Sequence, residues 1–137
     1  MHDAPRQPLC TSNELEERGR AFVFDVMHFH QPARAFALRF DGRVVAYLNR
    51  CAHVPTEMDW QPGEFLDMDK AWILCSIHGA AYDPLNGRCI AGPCGRGHLT
   101  VLEVREEGGQ VYWYPSRDTR PVFDDDTQPL ASTGTSP

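Results

Sequence analysis

The sequence has no uninterrupted apolar run near the roughly 20 residues that a membrane-spanning helix needs, and no apolar stretch behind a basic start in its first 30 residues. A membrane partner and an export signal are therefore not expected, and the protein is expected in the cytoplasm. Clusters of lysine or arginine are missing as well. Against 19 acidic residues there are 13 basic ones, a net charge of -6, so nothing in the chain would neutralise a run of phosphates and nucleic acid is not an expected partner. Helical periodicity is scarce, and no internal repeat is visible. A length of 137 residues fits one domain with a modest core. The five cysteines, Cys10, Cys51, Cys75, Cys89 and Cys94, are an odd number. Without an export signal, such a count favours metal ligands or reduced thiols over a disulfide framework.

What the chain does have is short strands and strong turns. The stretches AFVFDVM (21 to 27), AFALRF (35 to 40) and RVVAYLN (43 to 49) are rich in aromatic and branched residues and predict a meander. Asp41-Gly42, between the last two, is the signal of a two-residue hairpin. Near the other end, LTVLEV (99 to 104) and QVYWY (110 to 114) flank REEGG, where Gly108-Gly109 supplies the positive backbone angles of a second hairpin. One short helix is predicted over SNELEERG (12 to 19), capped by Ser12 and stopped by Gly19. Residues 50 to 97 are rich in glycine and lose regular periodicity except in AWILC (71 to 75). Long irregular segments in a small domain need a reason to be ordered, and a bound metal is one. From Ser116 the chain is acidic, then rich in proline, serine and threonine. That tail is expected to be disordered unless Val122-Phe123 docks.

Two ligand pairs stand in the glycine-rich segment: Cys51-x-His53 and Cys75-x-x-His78. Each pair closes a predicted strand and runs into a turn, which would bring four side chains together at neighbouring loop tips. Taken by themselves, two thiolates and two imidazoles suit either a zinc site or a mixed-ligand iron-sulfur cluster.

The wider pattern narrows the choice. Cys51-x-His53 and Cys75-x-x-His78-Gly79, followed by Tyr82-Asp83, Asn86-Gly87 and Gly92-Pro93, resembles the Rieske iron-sulfur domain, over about residues 12 to 115. The resemblance implies an all-β fold, an antiparallel β-sandwich with a smaller cluster-binding subdomain inserted at about residues 50–97. Residues 1–11 would then be an N-terminal arm and 116–137 a tail. It also implies a [2Fe-2S] cluster with one iron on Cys51 and Cys75 and the other on His53 and His78. Around it, Gly79 would shape the second ligand loop, Tyr82 would donate to a ligand sulfur, and Pro93 would lie in the covering loop. The chemistry fits such a set. Two ferric ions, two sulfides and two thiolates sum to zero charge, so reduction gives a monoanion, and imidazole in place of thiolate raises the potential.

Two departures from the respiratory members of the family matter. Ala80 stands where they resemble one another in a serine, so one of two hydroxyl donors is missing and a potential below theirs is expected. Neither ligand loop, CAHVPT nor CSIH, has the extra cysteine that bridges the loops in that type.

The function implied is one-electron transfer by a ferredoxin, from a reductase to a terminal oxygenase or another oxidoreductase, with no organic substrate turned over by the chain alone. There is no room in 137 residues for the mononuclear iron domain of an oxygenase large subunit. A structural or electron-transfer subunit similar to nitrite reductase small subunits, and a zinc-binding Cys2His2 interaction domain, are the alternatives. Among the remaining residues, Cys89 and Cys94 are expected to be free thiols and Cys10 an unremarkable N-terminal residue. His28 and His30 are expected on one solvated strand face, His98 near the loops, and Trp60 and Phe65 shielding the cluster or filling the core.

Overall fold

The computed structural model describes residues 5–52, 56–75 and 79–122. His53, His78 and the tail beyond Val122 lie outside them, so the expectations for those residues meet no structural observation.

Alternation builds the centre of the molecule. Strands β3 (Gln31–Phe40) and β4 (Arg43–Leu48) pair antiparallel. They are joined through Asp41 and Gly42, with φ of 54° and 78°, the twisted two-residue turn that Asp-Gly favours. Successive side chains point to opposite faces, and here both faces are buried. Ala35, Ala37, Ala46 and Leu48 face one way, Phe36, Leu38, Phe40 and Tyr47 the other.

The hairpin is the middle of a seven-stranded antiparallel sheet. It also contains β1 (Gln7–Thr11), β2 (Phe22–His28), β8 (Val101–Glu107), β9 (Gln110–Tyr114) and β10 (Thr119–Pro121), in the order β1-β9-β8-β4-β3-β2-β10. The sheet curls until its two ends approach, with the ring of Phe24 on β2 5.3 Å from that of Trp113 on β9. Its inner face buries Val26, the small alanines of the hairpin, Leu102 and Val111. The two layers of the sandwich are thus one sheet folded over on itself.

Between β4 and β8 the chain leaves this sheet and forms a second one of β5 (Ile73–Leu74), β6 (Ala81–Tyr82) and β7 (Cys89–Ala91), in the order β5-β6-β7. This subdomain sits on the large-residue face of the central hairpin. Phe36, Leu38 and Tyr47 pack against Met58, Phe65, Ile73, Tyr82 and Leu99, and the Phe36 and Phe65 rings stack at 3.7 Å and 12°. Among the described residues no helix is long and apolar enough to cross a membrane.

Several expectations are corrected here. The helix over residues 12 to 19 is a single 3-10 turn, Ser12–Glu14, capped by Thr11 rather than Ser12. Leu15, just past the turn, is the one buried residue between 12 and 19, so no apolar stripe favours continuing the helix. Instead Glu17 accepts from the amides of Asp41 and Gly42. The N-terminal arm supplies β1, paired with β9, which buries Cys10 and pushes its thiol up to about 11 by desolvation. Part of the tail forms β10 on the free edge of β2. His28 is buried with its ring 2.8 Å from the Thr119 hydroxyl of β10. Phe29 and His30 form the β2–β3 turn, with φ of 48° and 64°, so the two histidines do not share a strand face.

Candidate metal centre

The subdomain is hung from the sheet by polar hooks. Asn49, buried just past the end of β4, donates to Asp59 at 3.0 Å and accepts from the Met58 amide at 2.8 Å, which ties the segment at residues 58–59 to the first ligand loop. Tyr47 donates from its hydroxyl to the Pro84 carbonyl at 2.7 Å. Sequence reasoning missed Asn49. The available signal was a polar residue ending an otherwise apolar strand.

Each ligand loop closes on its own backbone. The Cys51 amide donates to the Thr56 carbonyl at 2.9 Å. In the second loop the Cys75 amide donates to Ala80, 2.8 Å, and the Gly79 amide returns to Cys75, 2.9 Å. Gly79 has φ of 76°, a conformation that glycine adopts without a Cβ penalty. These closures bring Cys51 and Cys75, both buried and outside any disulfide, into one apolar cluster with Tyr82.

Tyr82 is where the two loops meet. Its hydroxyl oxygen is 3.3 Å from Cys51 Sγ and accepts the Ala52 amide at 3.0 Å. Either partner can supply the hydrogen between the phenol oxygen and the sulfur, and toward a deprotonated sulfur it is the phenol that donates. Burial first, then the contact with Cys51, pushes the phenol's pKa up, and the Cys75 sulfur is near enough to add to the effect. The group therefore stays a donor at neutral pH. Two soft sulfur donors held dry beside one fixed hydroxyl suit a soft or borderline metal whose ligand sulfurs need a hydrogen bond. Among the described residues no three metal-ligating side chains form a group, a set that excludes both His53 and His78.

The loop after β7 covers the two ligand loops. A Cβ on Gly92 would lie 2.7 Å from the Gly79 carbonyl oxygen and 2.8 Å from Ala80 Cα, and one on Gly97 would lie 3.1 Å from Ala52 Cβ. Pro93 is exposed on the crest of this loop. Cys89 and Cys94 are not free thiols but a disulfide, their Cα atoms 5.8 Å apart. The Gly92-Pro93 turn brings them within bridging range, and Cys-x4-Cys about a Gly-Pro turn was the overlooked signal. Phe65 fills the core as expected. Trp60 is half exposed, its indole donating to the Leu66 carbonyl at 3.2 Å. His98, exposed beside the cover loop, bridges Arg88 through the backbone.

The sequence model described as the Rieske [2Fe-2S] domain matches residues 6–115. A search of curated proteins found no match. Among solved structures, the fold is similar to the ferredoxin of carbazole 1,9a-dioxygenase from Nocardioides aromaticivorans IC177, at 21% identity and TM-score 0.64, over 82% of this chain and 100% of that one. It is also similar to the terminal oxygenase of carbazole 1,9a-dioxygenase from Novosphingobium sp. KA1, at 27% identity and TM-score 0.62, over 80% of this chain but 29% of the oxygenase. A third similar chain, at 20% identity and TM-score 0.60, comes from a complex of reduced oxygenase and oxidized ferredoxin in carbazole 1,9a-dioxygenase; the match covers 80% of this chain and 92% of that one.

Proposed function

Because the chain belongs to the Rieske [2Fe-2S] domain family, whose cofactor is a two-iron cluster held by cysteine and histidine, we propose that it is a one-electron carrier of the ferredoxin type. In this reading Cys51 and Cys75 hold one iron and His53 and His78 the other. The donor is a reductase, and the acceptor is a terminal oxygenase or another oxidoreductase. The protein works in the cytoplasm as the electron-transfer component of a larger system and turns over no organic substrate alone.

The observation that carries the reading is that Cys51, Cys75 and Tyr82 share one buried apolar cluster beneath the loop bearing Gly92, with the Tyr82 hydroxyl 3.3 Å from Cys51 Sγ. The cluster supplies reversible one-electron chemistry. The residues around it do the rest. Tyr82 stabilises negative charge on Cys51 by hydrogen bonding, the apolar cluster excludes water from the sulfurs, and the two loop closures fix where the two sulfurs stand.

Anaerobic purification tests this directly. The protein should be brown, with about 2 iron and about 2 acid-labile sulfide per chain and an electron paramagnetic resonance signal of mixed histidine and cysteine ligation after reduction. A colourless protein carrying one zinc, or a spectrum of all-cysteine ligation, would overturn the assignment.

A further inference from the structure

The covering loop contains a redox group of its own. Cys89 opens it on β7, and Cys94 closes it five residues on. Cys94 is buried in the same apolar cluster as Cys51 and Cys75, while Cys89 is half-buried at the edge of that cluster. Between them Ile90, Ala91, Gly92 and Pro93 are exposed, so a reductant reaches the bridge from the Cys89 side.

Three contacts link this bridge to the candidate metal site. In the small sheet Cys89 is the register partner of Tyr82, whose hydroxyl touches Cys51 Sγ. Gly92, inside the bridged loop, lies so close to Gly79 and Ala80 that a Cβ would not fit. Gly97, just beyond it, packs on Ala52. The loop thus rests on both ligand loops at once. Beyond the bridge, its backbone is tied by the Cys89 amide to Gly97, 3.0 Å, and by the Gly97 amide to Cys94, 2.8 Å.

We propose that Cys89–Cys94 is a thiol–disulfide exchange site and that its opening by a dithiol loosens the cover over the loops bearing Cys51 and Cys75. The chemistry balances. A thiolate of the external dithiol attacks Cys89 Sγ, forming a mixed disulfide and expelling the Cys94 thiolate. The second thiol of the reductant then attacks its own sulfur in that mixed disulfide and releases Cys89. Two electrons pass to the protein, the two protons of the dithiol end on Cys89 and Cys94, and the reductant leaves as a disulfide. The product thiols have an acceptor waiting, because the Ala91 carbonyl oxygen lies 3.6 Å from Cys89 Sγ and 3.4 Å from Cys94 Sγ. Severing the bridge removes the covalent restraint on the loop and leaves it to the two backbone hydrogen bonds and the pairing of β7 with β6, so it opens more often.

The proposal rests on the iron-sulfur reading only for its effect on the cluster, and the experiment separates the two. The full-length holoprotein is treated anaerobically with dithiothreitol, alkylated with a maleimide and mapped by mass spectrometry, and in parallel exposed to an iron chelator while its visible absorbance is followed. Cys89 and Cys94 should become alkylated together, and only after the dithiol. Chelator-driven bleaching should then run roughly three- to tenfold faster and return to its first rate on reoxidation. A Cys89→Ser/Cys94→Ser double variant should bleach at the fast rate whether or not dithiothreitol is present, which excludes direct attack of the reagent on the cluster. Hydrogen exchange of residues 89–97 should rise in the dithiol form. A bridge that resists dithiothreitol until the protein unfolds, or bleaching and exchange unchanged after its reduction, would overturn the proposal. Failure of the wild-type chain to hold iron would count against the function proposed above, and alkylation and hydrogen exchange would still decide this one.

Discussion

The curled sheet and the subdomain it carries are built by different means. In the sheet, residues far apart in sequence meet because alternation and ladder hydrogen bonds leave each strand one register. The central hairpin shows this twice, with alanines toward the inner core and aromatics toward the subdomain. Among the described residues of the subdomain only short strands of two or three residues form, and the backbone is held by individual polar hooks: Asn49 to Asp59, Tyr47 to Pro84, Ala52 to Tyr82. A ladder tolerates the loss of one member. A hook has no neighbour to share its loss, so the subdomain is the part that a metal, a disulfide and a few hydroxyls must complete.

The difference can be broken experimentally, and the largest effect should come from the proposed ligands. Cys51→Ser or Cys75→Ser should abolish iron binding, read by iron content and visible absorbance. Hydrogen exchange should rise across residues 50–97 and hardly change in β2, β3 and β4. Equal loosening of both regions would mean that they are not separately built. Next comes Phe36→Ala, which removes the ring stacked on Phe65 at the junction. It should cost about 3–5 kcal/mol in urea unfolding and weaken both regions together.

Gly92→Ala should act on the subdomain alone. The added Cβ meets the Gly79 carbonyl and Ala80 Cα at a residue with φ of 88°, at a cost of about 1–3 kcal/mol, and faster cluster loss measured by bleaching should accompany it. Tyr82→Phe should be milder, about 1 kcal/mol for the lost hydrogen bonds. Its informative effect is on the cluster potential. The hydroxyl hydrogen stabilises the more negative, reduced state, so removing it should lower the potential in voltammetry.

The smallest effect belongs to the sheet. Burial, then the charge of Arg50, lowers the pKa of His28, with Asp118 opposing. The native state therefore binds a proton less readily than the unfolded chain. Its contribution to stability is full above the ordinary histidine value of about 6.5 and is lost as pH falls from there through the depressed native value. Replacing His28 by Gln should flatten the dependence of the urea midpoint on pH below 6.5.

How much could be read in advance follows the same division. The three strands of the meander, the Asp41-Gly42 turn and the Gly108-Gly109 turn were legible because alternation and positive-φ residues are local signals. The helix over residues 12 to 19 failed because its capping residues outnumbered its apolar ones. Strands β1 and β10 were missed because each exists only to pair with an edge made elsewhere, Gln7 opposite Trp113 and Thr119 opposite His28. At the candidate site, spacing singled out Cys51, Cys75 and Tyr82, which the structure places in one buried cluster, and their role toward a metal is the proposal made above. Asn49 and the pairing of Cys89 with Cys94 were not legible, since their partners are chosen by loop paths that no short pattern encodes.

The amino-acid sequence by itself determined the β character of the chain, the family to which it belongs and the two thiol positions, because all of these rest on residue type and short-range spacing. Tertiary structure alone decided that the hairpin is buried on both faces, that one hydroxyl reaches Cys51 while also holding Ala52, and that a disulfide lies in the loop over both ligand loops. The physical reason is that each of these depends on where separate segments cross in space, to within a hydrogen bond's length, and that distance is set by the packing of the whole core.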